Sequence, residues 1–218
     1  MKRTRGFLAG PGGANRIVFM PALRLALVVA ILTVAGPATA DSSLSDYFGP
    51  REISVGESMR GAASGARAIT LNPAGLTLTR QLVFEGSYGH RPEDGASSVA
   101  VSACDSTNAV PGCYYYRYFT AEPEVGGTKF NHRAHELGIA LSRALSPNLS
   151  LGTTTKYFDY NTDLAGAEDS DGFSLDIGIM FRANKAISLG LVGYNLIADD
   201  STQYPRAAGT GLAIRPSP

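Results

Sequence analysis

The chain has 218 residues, of which 44% are hydrophobic and only 17% are charged, and 19 basic residues balance 19 acidic ones. A neutral chain with so few charges is not a nucleic-acid binder that works through a basic face. The apolar content is too high for a disordered chain. The length allows one large domain or two small ones.

The first 40 residues have the pattern of an export signal. They contain five basic residues and no acidic residue. The apolar run at 25–36 suits a signal peptide but is shorter than the roughly 20 residues of a membrane-spanning helix. Ala38 and Ala40 supply the small residues of a cleavage site. We expect residues 1–40 to be a signal peptide cut before Asp41, with a membrane anchor as the alternative. Met20 is an alternative start that gives a shorter basic region.

Export places the two cysteines in an oxidising compartment. Cys104 and Cys113 flank residues that favour turns. We expect a disulfide across the neck of a β-hairpin, and two free thiols are the alternative. The chain has neither a CxxC motif nor a Cys/His spacing typical of a metal site, so we predict no metal and no cofactor.

Two-residue alternation is the most informative pattern, and it begins at Gln81. Between residues 173 and 182, apolar side chains occupy the odd positions and mostly small or polar side chains occupy the even ones. Similar segments occur at 82–88, 99–103, 114–118, 137–141, 149–157, 187–192 and 208–214. They predict about eight strands of roughly 8–11 residues, the length that a tilted strand needs to cross a bilayer.

The predicted connections alternate in length. Short turns at 146–148 and 183–185 alternate with longer loops at 90–96, 121–134, 160–171 and 198–206, as in outer-membrane barrels. Aromatic residues cluster at the long-loop ends, where we expect them to form a girdle at the membrane interface. These residues are Tyr88, Tyr118, Phe119, Phe130, Tyr157, Phe158, Tyr160, Phe173 and Tyr204.

A water-soluble β-sandwich or lipocalin-like barrel also alternates, with its apolar side chains facing inward. The second face favours the membrane interpretation, because it carries Gly, Ala and Ser where a solvated face would carry Lys, Glu and Thr. Its sparse charges are suited to pairing with one another in a lumen. They are Glu85, Arg117, Lys156, Asp176 and Arg182. We predict an all-β fold, an antiparallel transmembrane β-barrel built from residues 81–218.

Residues 59–76 include the motif Asn72-Pro73-Ala74-Gly75-Leu76, and Asn72 before Pro73 predicts the start of a short helical turn. On this segment, and on 190–196 followed by Tyr204-Pro205, the chain resembles the long-chain fatty-acid transporter superfamily of outer-membrane barrels. It is also similar to the barrels of the type IX secretion shuttle group. The resemblance implies an N-terminal hatch at residues 41–80 that folds into the lumen, with Asn72, Pro73 and Ala74 seating it.

The same resemblance implies that hydrophobic molecules cross through the barrel wall or past the hatch without an energy-consuming step. The chain departs from the superfamily by its smaller number of strands and by lacking a terminal aromatic residue. An eight-stranded closed barrel fills its interior with side chains and leaves no room for a folded hatch. We therefore expect either a small closed barrel or an incomplete larger one, the product of a truncated reading frame.

Other candidate sites are weak. The histidines at 132 and 135 do not have metal-site spacing, and a strand would place them on opposite faces. The acidic residues at 159–171 fit a solvated loop better than a Ca²⁺ site. The chain has no GxSxG motif and no phosphate-binding loop, and we predict that it is not an enzyme.

The predicted protein is an outer-membrane barrel of a Gram-negative bacterium that passes or binds hydrophobic small molecules. Its expected partners are outer-membrane lipid and lipopolysaccharide, such hydrophobic molecules, and proteins that dock on the long loops, but not nucleic acid. One alternative is a structural or secretion-partner barrel without transport. Another is an exported soluble β-domain or a fragment without a function of its own.

Overall fold

The computed structural model describes residues 58–92, 95–125, 127–164, 169–197 and 205–215. The predicted signal peptide at 1–40, residues 41–57 of the predicted hatch, and Tyr204 lie outside the described residues. Within those ranges, three short helical segments precede the strands, and no helix is long and apolar enough to cross a membrane. The helical segments are a first 3-10 helix (Ser58–Gly61), α1 (Arg67–Leu71) and a second 3-10 helix (Pro73–Thr77).

Ten strands follow in the described ranges, and eight of them form one sheet. The strands are β1 (Leu82–Arg91), β2 (Ala96–Asp105), β3 (Gly112–Ala121), β4 (Glu124–Val125), β5 (Thr128–Lys129), β6 (His132–Ser146), β7 (Leu149–Thr162), β8 (Ser170–Arg182), β9 (Ile187–Tyr194) and β10 (Ala207–Ile214).

The sheet follows the order of the chain, β1-β2-β3-β6-β7-β8-β9-β10, with every neighbouring pair antiparallel. This arrangement confirms the all-β fold and the count of about eight strands in the sheet. The sheet is open in the described residues, with β1 and β10 at its edges, so it does not show the closed barrel of the prediction. The stretch 121–134, which we expected to be a loop, contains the separate hairpin β4–β5.

The two faces of the sheet differ in the way that the alternation predicts. On β8, Ile177 and Ile179 are 39% and 40% exposed, whereas Ser174 and Asp176 are 0% and 3% exposed. We call the exposed apolar side the outer face, and the side that carries Ser174 and Asp176 the inner face. The same polarity runs through β6 and β7, where outward Leu137 and Leu151 are exposed. A soluble sandwich would need the opposite arrangement.

The inner face is covered by residues 58–78, which we call the inner segment. Its buried apolar side chains join inward residues of β2, β3 and β6 in one cluster. The members with under 5% exposure are Ala63, Ala68, Ile69, Leu71, Leu76, Cys104, Cys113 and Ala140. Because most of them are small, this core depends on close contact between chains rather than on large side chains.

The expected aromatic girdle is only partly present. Tyr88 and Phe173 lie on the outer face and are 67% and 65% exposed. Phe119, Phe158 and Tyr160 are buried on the inner face, which makes their expected place in an outward girdle wrong. Each of these three residues is next to an outward position along its strand, and a strand places adjacent side chains on opposite faces.

Cys104 and Cys113 form a disulfide. They lie opposite each other at the end of the β2–β3 pair, and both face inward with at most 1% exposure. The bond therefore closes the neck of the predicted hairpin. It also packs in the cluster that holds the inner segment.

We predict that replacing both Cys104 and Cys113 by alanine lowers the free energy of unfolding by about 2–3 kcal/mol, because the unfolded chain loses a short cross-linked loop. Urea unfolding of the purified chain, before and after reduction, checks the value. In the unmodified protein, peptide mapping without reductant should recover the two cysteines as one linked peptide. Recovery of two free thiols would contradict the structure.

Candidate functional site: the seat of the inner segment

Asn72 is the central residue of the contact between the inner segment and the sheet. It is fully buried and caps the second 3-10 helix, since its Oδ1 accepts a hydrogen bond of 3.1 Å from the Ala74 amide. This cap confirms the helical turn that the sequence predicts. The Nδ2 group donates to the Arg60 carbonyl and to the Ile179 carbonyl, both at 3.1 Å. One side chain thus joins two parts of the inner segment to β8.

Glycines on the sheet allow this close approach. A Cβ atom added at Gly152 would lie 2.3 Å from the Ala74 nitrogen, and one at Gly178 would lie 2.2 Å from the Asn72 Oδ1. Gly152 and Gly178 are cross-strand partners on β7 and β8. Any larger residue at either position would displace the Asn72-Pro73-Ala74 turn.

A second pair of glycines receives the first 3-10 helix. A Cβ at Gly190 would lie 2.1 Å from the Arg60 carbonyl oxygen, and one at Gly211 would lie 2.6 Å from the Gly61 nitrogen. Gly190 on β9 pairs with Gly211 on β10. The glycine seat, formed by these two glycines with Gly152 and Gly178, therefore extends across four adjacent strands.

Hydroxyl groups of the sheet bind carbonyl groups of the inner segment around this seat. Ser188 Oγ donates to the Gly61 carbonyl at 2.5 Å, and Tyr194 OH donates to the Leu71 carbonyl at 2.8 Å. Thr77 of the inner segment bonds Ser150 Oγ at 2.7 Å. These bonds satisfy polar groups that would otherwise be costly to bury.

Arg60 joins the inner segment to the end of β9. Its Nε donates to Tyr194 OH at 2.9 Å, and its guanidinium lies 5.6 Å from the centroid of the Tyr194 ring. The Arg60 side chain lies on Gly209 of β10, where an added Cβ would approach Nε to 2.5 Å. The inner segment therefore contacts the edge strand β10 as well as the central strands.

The link between the inner segment and β1 is tied to the disulfide hairpin. Ser106 follows β2 and is 3% exposed. Its Oγ donates to the Thr79 carbonyl at 2.6 Å and accepts a bond from the Gln81 amide at 3.1 Å. Arg80 Nη2 also donates to the Thr107 carbonyl at 2.9 Å. The β2–β3 turn therefore fixes the point at which the chain leaves the inner face and enters the sheet.

Charged side chains on the inner face form buried pairs. Lys156 Nζ lies 2.9 Å from Asp176 Oδ2, and Arg117 binds Glu136. Tyr115 OH donates to Glu136 Oε1 at 2.7 Å. Lys156, Asp176 and Arg117 lie on the face that the alternation predicts for them, and the expected pairing is confirmed for Lys156 with Asp176.

Asn195 continues this polar network at the end of β9. Its backbone amide donates to Asp176 Oδ1 at 2.8 Å, and its side-chain amide donates to the Pro205 carbonyl at 2.9 Å. Ser174 Oγ donates to Asn195 Oδ1 at 3.3 Å. With the two ion pairs, these contacts cross the inner face from β3 to the residues before β10.

Some features of the site were missed by the sequence analysis. Glu136 was assigned to a weak histidine motif and not to the inner face, although its spacing from Gly138 and Ala140 indicates that face. The glycine seat was missed because single glycines in a strand carry no local sign of what approaches them. The described residues include no group of three or more His, Cys, Asp or Glu side chains arranged to hold a metal ion.

The predicted motif residues Asn72, Pro73 and Ala74 thus lie together on the glycine seat. The disulfide lies in the core cluster that includes Leu71 and Leu76, on either side of these three residues. His132 and His135 lie apart: one bonds Tyr160 and the other bonds Tyr116. Comparison of the chain with protein-family models, curated proteins and solved structures finds no match.

We predict that Gly152→Ala lowers the free energy of unfolding by about 1–3 kcal/mol, because the new methyl group overpacks against the backbone of Pro73 and Ala74. It should also expose Arg60 and Arg67 to trypsin. Gly86→Ala is the matched control, since its nearest atom would be 4.0 Å away, and it should be neutral or slightly stabilising. Equal behaviour of the two variants in urea unfolding and proteolysis would contradict the seat.

Proposed function

We propose that this protein is an outer-membrane β-barrel protein of the transporter type that passes or binds hydrophobic small molecules. Its outer face meets lipid, and the inner segment acts as the hatch. The observation that carries the proposal is the reversed polarity of the sheet, with exposed apolar side chains on one face and buried glycines, hydroxyls and ion pairs on the other. Large exposed apolar surfaces are rare on soluble monomers, and hydrocarbon is the medium that favours them.

The dimensions of the apolar outer face support contact with a bilayer. On β7 and β8, the outward positions 149–157 and 173–181 carry no charged residue. Eight residue steps of about 3.4 Å make ~27 Å along the strand, which becomes roughly 20 Å of membrane depth at the usual tilt. Outward charges begin just beyond these stretches, at Asp159 and Asp171. An outward-facing apolar band of this kind is typical of the lipid-facing side of outer-membrane barrels.

The inner face supports the assignment of a lumen. The Lys156–Asp176 pair is almost completely buried by protein, and a charge in hydrocarbon would be far more costly than a paired charge in a lumen. The inner segment occupies the space beside these pairs and is held mainly by hydrogen bonds and close backbone contacts. Such contacts suit an element that partly fills a lumen, which is the role of a hatch.

The open edges of the sheet bear on the size of the barrel. In a membrane, the edge groups of β1 and β10 need hydrogen-bond partners. An eight-stranded barrel closed on itself would have an interior filled by side chains, whereas here a folded segment of about 20 residues lies on the inner face. We therefore favour a barrel with more strands than these eight over a small closed barrel.

The alternative function is a structural or secretion-partner barrel without transport. The hairpin β4–β5 gives it some support, because it extends the connection between β3 and β6 and its residues Glu124, Thr128 and Lys129 are exposed. Such a hairpin offers a docking surface for another protein. Lipid and lipopolysaccharide remain partners of the outer face in both proposals.

Membrane contact predicts a specific cost for a charge on the outer face. Ile177→Lys should lower the free energy of unfolding in liposomes by about 2–4 kcal/mol, because position 177 lies near the middle of the apolar band. Asn161→Lys is the control, since it is outward and exposed but beyond the band, and should cost at most about 1 kcal/mol. Urea titration in liposomes measures both. A similar small effect of the two substitutions would contradict membrane contact.

Transport predicts uptake of a fluorescent long-chain fatty acid by liposomes that contain the full chain. The double variant Thr77→Cys with Ser150→Cys tests the route, because the two native hydroxyls are 2.7 Å apart and the new thiols can lock the inner segment to β7. Locked protein should transport more slowly, and reductant should restore the rate. Reduced unmodified protein is the control. Uptake no faster than in empty liposomes would favour the structural or secretion-partner alternative.

A further inference from the structure

A cleft of about 640 Å³ lies beside the inner segment, at the end of the sheet that carries the tight turns 146–148 and 183–185. Its walls come from the inner segment, from the turn between β6 and β7, from the turn between β8 and β9, and from the residue after β10. The glycine seat and the ion pairs of the inner face do not line it. This cleft is therefore separate from the contacts that hold the inner segment.

Three basic residues line the cleft, and none of its lining residues is acidic. They are Arg182 at the end of β8, Lys185 in the following turn and Arg215 after β10. Arg182 is positioned by a bond of 3.0 Å from Nη2 to the Pro147 carbonyl. Among the described residues, Lys185 and Arg215 have no side-chain hydrogen bond or ion pair. Within the part of the chain that the structure describes, the cleft thus concentrates positive charge that no acidic lining residue neutralises.

The volume of the cleft and its remaining lining residues restrict the kind of ligand that fits it. Asn148 and Ser64 add polar groups, whereas Met59, Leu78 and Pro147 make part of the wall apolar. A single inorganic ion would leave most of the volume empty, so the cleft suits an anionic group attached to an organic part. Arginine binds phosphate and carboxylate oxygens with its planar fork of donors, and three cations from different walls can surround a tetrahedral phosphate better than the two coplanar oxygens of a carboxylate.

We propose that this cleft binds a phosphate ester, with the phosphate held by Arg182, Lys185 and Arg215. Two sources share this chemistry: the head group of a membrane phospholipid and a soluble phosphate monoester. The lipid source rests on the proposed function, because it needs the outer face to lie in a bilayer with the cleft at head-group depth. The soluble source does not depend on membrane insertion.

The test uses the full chain, purified in phosphate-free detergent for glycerol 3-phosphate titration and placed in nanodiscs for the lipid arm. The nanodiscs contain phosphatidylglycerol diluted in phosphatidylcholine, and native mass spectrometry counts the retained phosphatidylglycerol. The variants are Lys185→Gln, Arg215→Gln and Arg182→Gln. Arg143→Gln is the matched control, because Arg143 is exposed on β6 at the same end of the sheet but does not line the cleft.

We expect each cleft variant to weaken binding of the responding probe by roughly tenfold or more, and Arg143→Gln to leave it unchanged. Binding of glycerol 3-phosphate in detergent supports the soluble source, and selective retention of phosphatidylglycerol in nanodiscs supports the lipid source. Arg182→Gln removes a hydrogen bond to Pro147 and could therefore impair folding. Lys185→Gln removes no side-chain hydrogen bond of the described residues, so its effect on binding decides the test in that case.

The proposal is overturned if neither probe binds, or if the cleft variants and Arg143→Gln bind equally well. Membrane fractionation of the same variants separates this result from the proposed function. A protein that stays in the outer membrane but binds neither probe would overturn the phosphate site alone. A protein that leaves the membrane fraction would count against the proposed function and the lipid source together.

Discussion

The close approach of one backbone to another is the constraint on which this structure depends. The inner segment lies so near β7, β8, β9 and β10 that only glycine fits at the four positions of the glycine seat. Around these positions the face is made mostly of small residues, hydroxyls and a few paired charges. The large apolar side chains of the same strands must then lie on the other face, because a strand offers only two. The reversed polarity of the sheet follows from this requirement.

The polar groups of the inner face follow from the same constraint. Carbonyl groups of the short helical segments need donors, and a face of small residues supplies them through serine, threonine and tyrosine side chains. Beside the inner segment, Lys156 pairs with Asp176 and Arg117 pairs with Glu136, so these buried charges satisfy each other. The inner segment is therefore held by hydrogen bonds and close backbone contacts in addition to its small apolar cluster.

Much of this arrangement was predictable from the sequence, for definite reasons. The alternation at 173–182 specifies both the strand and its two faces, and Asn72 before Pro73 specifies a capped turn. Other features depend on the register between strands. Glu136 meets Arg117 because the register between β3 and β6 makes them cross-strand partners. Phe119, Phe158 and Tyr160 face inward because a shift of one residue along a strand moves a side chain to the other face. Whether the sheet closes into a barrel likewise cannot be predicted from the pattern of any single strand.

The direction in which the apolar face points can be measured directly by a spin-label scan of β8 in lipid bilayers. Single cysteines from position 173 to 181, except at Gly178, where a larger residue would displace the inner segment, would carry nitroxide labels while the native pair stays oxidised. The account predicts that the odd positions collide with oxygen dissolved in the lipid, and that labels at the even positions are protected from both oxygen and a water-soluble relaxation agent. It would be contradicted if the even positions were open to the water-soluble agent while Leu175, Ile177 and Ile179 were protected from both.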